Sequence, residues 1–226
     1  MTQVKICGIA NVEDGLAAAE AGAVLLGLIF YRPSPRSVTP SQACHIIEAV
    51  RRVFSAVRFV GVFVDEEPGS VCQIVTCCNL DYAQLHGSEP PEMVRALMDE
   101  GLRIIKAFRV RDGTFLGEIE RYQPTAYLLD AYVPGRPGGT GQTFDWELAV
   151  QAKEYGPILL AGGLTPDNVA EAVCTVRPWS VDAASGVEVA PGCKDHGKLR
   201  RFVAAVNRAC SGGSLDPHSM PSVTRI

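Results

Sequence analysis

Eight short apolar runs, each closed by turn-forming residues and followed by a helical periodicity, constrain this chain more than any other feature. They are VKICGI (4–9), VLLGLIF (24–30), RFVGVFV (58–64), YAQLHG (82–87), RIIKAFRV (103–110), AYLLDAY (126–132), PILLAGG (157–163) and WSVDAAS (179–185). Strands covered by helices on their outer side read as near-continuous apolar runs, so the alternation predicts successive βα units around a parallel sheet. Eight such units within 226 residues match a closed (β/α)8 barrel, a single-domain α/β fold that typically takes about 200–250 residues. An open doubly wound sheet is the competing arrangement. It would carry GxGxxG after its first strand, whereas here the first strand runs into CGIANVED.

The segments between the runs carry helix signals. Thr39-Pro40-Ser41-Gln42 has the capping-box form with proline at the first helical position, and Thr165-Pro166-Asp167-Asn168 repeats the cap-then-proline device. DGLAAAEAG (14–22), PEMVRALMDEG (91–101) and KLRRFVAAVNRA (198–209) place apolar residues three and four apart, as helices over a sheet do. The last stretch, SGGSLDPHSMPSVTRI (211–226), is polar and turn-rich without periodicity. The expected organisation is a barrel over residues 1–210 and a flexible tail over 211–226.

Composition narrows the function. A net charge of −4 with pI near 5.6 leaves no basic footprint for nucleic acid. No apolar run approaches the ~20 residues that span a bilayer, and Lys5 and Cys7 interrupt the amino-terminal stretch, so the expectation is a cytoplasmic protein without a membrane partner. Cysteines at 7, 44, 72, 77, 78, 174, 193 and 210 form no CxxC pair and no cluster with zinc spacing. Reduced thiols and no metal site are expected.

In a parallel barrel the side chains at the carboxyl ends of the strands and the loops that follow gather at one face. Cys7 ends the first run, Arg36 lies in the second loop behind Pro33-Ser34-Pro35, His86 ends the fourth run and Asp130 breaks the apolar AYLLDAY. Period-two alternation puts Lys5 and Cys7 on one side of their strand, and a thiol acts as base only as thiolate, which a nearby cation favours. A carboxyl group in a strand buried on both faces is costly unless paired or functional, which marks Asp130. Gly162 and Gly163 precede one helix, and Ser185 and Gly186 occupy the equivalent place one unit later. Exposed amides there form an anion site, and the last two loops are the habitual phosphate cradle of the fold. The sixth loop, VPGRPGGTGQTFDW (133–146), is glycine-rich but fails as a Walker loop, because Gln142 stands where lysine is required; it suits a lid or a close turn over a ligand. His86 reads equally as a hydrogen-bonded loop histidine or a catalyst.

Taken together, KICGI, FYRPSPRSV, VGVFVD, QLHGSE, LLDAYVPGRPGGTGQTFDW, LLAGGLTPDNV and SVDAASGVE resemble the phosphoribosylanthranilate isomerase family from residue 4 to about 209. The resemblance implies an Amadori rearrangement without a cofactor, in which an aminoaldose phosphate becomes an aminoketose phosphate in tryptophan biosynthesis. It implies Cys7 as general base, Asp130 as general acid and Arg36 on the anthranilate carboxylate. Gly162, Gly163, Ser185 and Gly186 would hold the phosphate, with His86 and Asp182 as pocket hydrogen-bonders. Three positions depart from the family's habit: Val24 for aspartate at the far end of the barrel, Gln142 for lysine in the sixth loop, and Ala184 for serine beside the phosphate turn. The competing readings are another phosphosugar isomerase or epimerase barrel of the histidine-pathway type, and a non-catalytic phosphate-binding barrel. A Schiff-base enzyme would have only Lys5 or Lys106 to offer from its strands. Beyond the small-molecule phosphosugar, the expected assembly is a monomer or homodimer.

Overall fold

Eight parallel strands close on themselves in sequence order: β1 (Gln3–Cys7), β2 (Leu25–Ile29), β3 (Arg58–Phe63), β4 (Tyr82–Leu85), β5 (Ile104–Val110), β6 (Ala126–Ala131), β7 (Ile158–Leu160) and β8 (Ser180–Ala183). The computed structural model describes residues 1–131 and 144–211. Each predicted run holds one strand, with β1 beginning one residue early at Gln3, so the (β/α)8 expectation holds. The strands are shorter than the runs because Gly8, Gly87, Gly162, Gly163 and Ser185 belong to the loops that follow. Closure is made by β8 against β1, in a register that sets Lys5 opposite Asp182.

The helices α1 (Val12–Ala21), α2 (Pro40–Val53), α3 (Pro68–Cys77), α4 (Pro91–Asp99), α5 (Phe115–Ile119), α6 (Trp146–Ala152), α7 (Val169–Val176) and α8 (His196–Ser211) alternate with the strands. The capping box before α2 is complete. Thr39 Oγ1 accepts from the Gln42 amide at 3.3 Å, and Gln42 Oε1 accepts from the Thr39 amide at 2.8 Å. The second cap-and-proline segment is corrected in extent, since α7 proper begins at Val169, four residues after Thr165. The intervening turn still uses the expected chemistry: Thr165 Oγ1 accepts from the Asp167 amide at 3.2 Å, and Asn168 Oδ1 from the Thr165 amide at 2.8 Å. Helix α8 passes the expected domain boundary by one residue; residues 212–226 of the expected tail lie outside the described residues, as do Tyr132 at the end of the sixth run and 133–143 of the sixth loop, including Gln142.

Alternation along the strands creates two apolar layers. Leu25, Val60, Ile105, Leu128 and Leu159 pack inside the barrel, while Ile6, Leu26, Phe59, Ile104 and Leu129 face the helices. Burying each such side chain contributes roughly 1.5–3 kcal/mol, which makes the two layers the main source of stability. The adjacent Cys77 and Cys78 sit where α3 meets α2, with Cys78 Sγ 3.6 Å from Pro40 O and Cys44 Sγ 3.7 Å from Cys77 O. Cys78 is buried and packs between the two helices, whereas Cys77 is exposed. Val24 is 40% exposed at the amino end of β2, at the barrel face opposite the strand ends that carry Cys7 and Asp130. No helix among the described residues is long and apolar enough to cross a membrane.

After β8 the chain makes a 3-10 turn (Ser185–Val187) and a two-stranded antiparallel ribbon of β9 (Glu188–Ala190) and β10 (Cys193–Lys194). This ribbon folds back over the mouth of the barrel beside β1, since Lys194 Nζ donates to Cys7 O.

Candidate active site

At the carboxyl ends of the strands the apolar interior gives way to polar side chains around a cavity of about 380 Å³. All nine residues singled out from the sequence line it: Cys7, Arg36, His86, Asp130, Gly162, Gly163, Asp182, Ser185 and Gly186. Cys7 ends β1 and Asp130 lies in β6, so thiol and carboxyl reach one space from strands that are not neighbours in the barrel. Lys106 is corrected: its neighbours Ile105 and Ala107 face the barrel interior, so its own side chain points to the helix layer, where it pairs with Glu89 at 2.9 Å. It plays no part in the cavity.

Asp130 is 3.4 Å from His86 Nε2. The other ring nitrogen, Nδ1, is 2.8 Å from Gln84 Nε2, which as an amide nitrogen donates. His86 Nδ1 is then the acceptor, and Nε2–H is the ring donor that faces Asp130. Gln84 on β4, two residues before His86, is almost wholly buried, and its Oε1 has no partner among the described residues. Period-two spacing from His86 was the signal that could have found it.

Arg36 is positioned by its loop. The Ser34 amide donates to Tyr31 O at 2.9 Å, the Ser37 amide to Ser34 O at 3.1 Å, and the Arg36 amide to Ser34 Oγ at 3.2 Å. Its guanidinium meets Glu188 in a fork, Nε to Oε1 at 2.9 Å and Nη2 to Oε2 at 2.7 Å. The same carboxylate accepts from Lys194 Nζ at 2.8 Å. Hydrogen bonding to Glu188 raises the Arg36 pKa above its usual value against the pull of burial. Burial pushes the Glu188 carboxyl up, but Arg36 and Lys194 outweigh it and hold its pKa below the ordinary range. Burial lowers Lys194 despite Glu188 beside it. Sequence reading missed both Glu188 and Lys194, because the site groups they hold, Arg36 and the Cys7 carbonyl, lie far away along the chain. It also missed Arg109, which lines the cavity from β5.

The last two loops meet by close backbone approach. Gly162 and Gly163 have φ of +82° and +63°, and a Cβ at Gly162 would stand 2.5 Å from the Ala131 amide nitrogen. A Cβ at Gly186 would overlap Leu164 O. At Gly162 only glycine permits both the left-handed backbone and the approach, and at Gly186 the approach alone requires it. Asn168 Nδ2 donates to Gly163 O at 3.0 Å and fixes that loop, while the Gly162 and Gly163 amides have no backbone acceptor among the described residues. Such amides, with Ser185 beside them, suit a dianion. Ala184 lines the same wall without a hydroxyl, and its carbonyl is held by Lys194 Nζ at 3.2 Å. Among the described residues no group of three or more His, Cys, Asp or Glu side chains could hold a metal ion.

Known proteins resemble this chain in sequence and in fold. The family model described as N-(5′-phosphoribosyl)anthranilate (PRA) isomerase matches residues 4–205. The N-(5′-phosphoribosyl)anthranilate isomerase of Geobacter sulfurreducens is 52% identical over 203 residues, 90% of this chain and 97% of that protein. The crystal structure of phosphoribosyl anthranilate isomerase from Thermotoga maritima superposes with a TM-score of 0.85 at 38% identity, covering 92% of this chain and 100% of that one. A crystal structure of phosphoribosyl anthranilate isomerase in complex with reduced 1-(o-carboxyphenylamino)-1-deoxyribulose 5-phosphate gives 0.82 at 36% identity, with the same coverage.

Proposed function

The chain belongs to the N-(5′-phosphoribosyl)anthranilate isomerase family, and on that basis we infer that it performs the family's Amadori rearrangement with Cys7 as general base and Asp130 as general acid. It is an isomerase of tryptophan biosynthesis that turns N-(5′-phosphoribosyl)anthranilate into 1-(2-carboxyphenylamino)-1-deoxyribulose 5-phosphate. Asp130 gives its proton to the ring oxygen as the bond from that oxygen to the first sugar carbon breaks, and the anilino nitrogen lone pair forms the iminium. The iminium acidifies the hydrogen on the second carbon, which Cys7 removes as thiolate, and the electron pair becomes the carbon–carbon double bond of an enolamine. The enolamine moves its hydroxyl proton to carbon and becomes the aminoketone, so no atom is gained or lost. His86 Nε2–H, facing Asp130, orients the carboxyl so that its other oxygen meets the sugar.

The phosphate lies on Gly162, Gly163, Ser185 and Gly186, Arg36 takes the anthranilate carboxylate with the donors Glu188 leaves unused, and Asp182 bonds a sugar hydroxyl. The net charge of −4 does not oppose a doubly anionic substrate, because local donors set the field in the cavity. The catalytic barrel takes in the described chain to the end of α8 at Ser211. We place the enzyme in the cytoplasm, a compartment in which its eight free cysteines stay reduced, and take it as a monomer or homodimer.

The observation that carries this reading is the common cavity shared by Cys7, Asp130, Arg36 and the two glycine loops. Purified protein without added metal or nucleotide is expected to consume freshly made phosphoribosylanthranilate, followed as loss of its fluorescence. Cys7→Ala and Asp130→Asn should each lower kcat about 10²–10⁴-fold while analogue binding stays near that of the parent, since each acts on a proton in flight. Ordinary turnover in either variant would reassign the acid or the base.

A further inference from the structure

Cys7 is buried, and burial pushes its thiol pKa up, with Lys5 as the foremost opposing influence. A thiol in that position makes a poor base unless something compensates the charge it acquires. The charged groups around it come from five elements: Lys5 on its own strand, Asp182 on β8, Lys194 on β10, Glu188 on β9, and Arg36 in the second loop. Strand β2 offers only Gly27 at this point, and a methyl group there would lie 2.8 Å from Cys7 Sγ and 3.2 Å from Lys5 Nζ, so the two heads converge over that glycine. Three cations and two carboxylates leave one positive charge in excess. A thiolate at Cys7 completes neutrality.

The donors decide which cation serves the sulfur. An ammonium has three N–H bonds to direct. Those of Lys194 are engaged by Cys7 O at 2.6 Å, Glu188 Oε1 at 2.8 Å and Ala184 O at 3.2 Å, all oxygens. Arg36 is forked onto Glu188. Lys5 is fully buried and bonds one oxygen, Asp182 Oδ1, at 3.0 Å. Two of its hydrogens remain for the neighbouring sulfur.

We propose that Lys5, anchored by Asp182 in the seam between the first and last strands, is the positioning residue that lets Cys7 give up its proton and act as base. Lys5 does not line the cavity, so it acts through Cys7 and never on the sugar. The proposal rests on the reading of Cys7 as the base, and it has a signed consequence. Removing the cation makes the thiolate harder to form; removing the carboxylate beside it makes the thiolate easier to form.

The test uses Lys5→Met and Asp182→Asn in the full chain, with two readouts. One is the pH midpoint of Cys7 alkylation by iodoacetamide, followed on the Cys7 peptide by mass spectrometry. The other is the acid limb of the kcat/KM profile. In Lys5→Met both are expected to move up by about one unit or more, with kcat/KM at neutral pH down about tenfold per unit and partly recovered as pH rises. In Asp182→Asn the alkylation midpoint is expected to move down. Damage to the barrel alone would not shift the two variants in opposite directions. If Lys5→Met fails to fold, Lys5→Gln carries the same test, since it removes the charge and keeps a polar head, and its midpoint is expected to move up in the same way. Midpoints that stay in place, or move together, overturn the proposal. Alkylation midpoints that move while the acid limb stays would instead remove Cys7 from the base role and leave the control of its charge by Lys5 intact.

Discussion

Glu188 answers two cations at once, the Arg36 fork and the Lys194 ammonium, with a side chain only 4% exposed. Replacing a buried ion-pair partner leaves the other charge uncompensated, so Glu188→Gln should cost about 3–5 kcal/mol in urea unfolding at neutral pH. The pH dependence follows from the depressed carboxyl. Its contribution is fully present above the unfolded carboxyl value of about 4.3 and disappears as pH falls through the lower folded value, so the gap between parent and variant should narrow on acidification. A gap independent of pH would show that the carboxylate charge is not what the site uses. The same residue marks the limit of reading side chains from a string. Cys7, His86 and Asp130 were legible because each breaks a local pattern at a strand end. Glu188 and Lys194 break none, and their meaning comes from Arg36, placed beside them by the closed barrel.

Among the elements, the punctuation before α2 was legible in full and that before α7 only in part. Thr39 and Gln42 satisfy each other's backbone and side chain within four residues, a device that depends on nothing distant. Thr39→Ala is therefore expected to lower stability by about 1 kcal/mol and leave kcat/KM unchanged, measured by denaturant midpoint and turnover on one preparation. A drop in activity would mean that α2 positions Arg36 through its first turn. Before α7 the same residue types close a turn instead of opening the helix directly, since Asn168 also bonds Gly163 O and ties the turn to the glycine loop. The strands were over-read at their ends for a related reason. Apolar continuity does not reveal where the ladder stops, and glycines at positive φ such as Gly8 and Gly162 stop it.

At the scale of the whole molecule, eight strands and a closed barrel were legible in the sequence, but the register that closes it could not be read there. Closure is a relation between residues at opposite ends of the chain, seen in the pairing of Gln3 with Ser180 and of Lys5 with Asp182. The cavity straddles that seam: Cys7 and Arg36 approach from the first two units, Asp130, Gly162, Ser185 and Gly186 from the last three. A ligand there holds both ends of the barrel, and unfolding requires its release. Saturation at 100 times Kd contributes about 2.7 kcal/mol, which for a chain of this size raises the unfolding midpoint by roughly 5–10 °C. The reduced product analogue should produce this rise in the parent and in Cys7→Ala alike, because the thiol acts on a proton and not on the resting ligand. Gly186→Ala forces a methyl against Leu164 O and should lose most of the rise, even when its own unfolding without ligand stays cooperative. Differential scanning fluorimetry across the three proteins separates the outcomes. A rise in Gly186→Ala equal to that of the parent would move the phosphate away from the eighth loop, and with it the orientation that brings the sugar between Cys7 and Asp130.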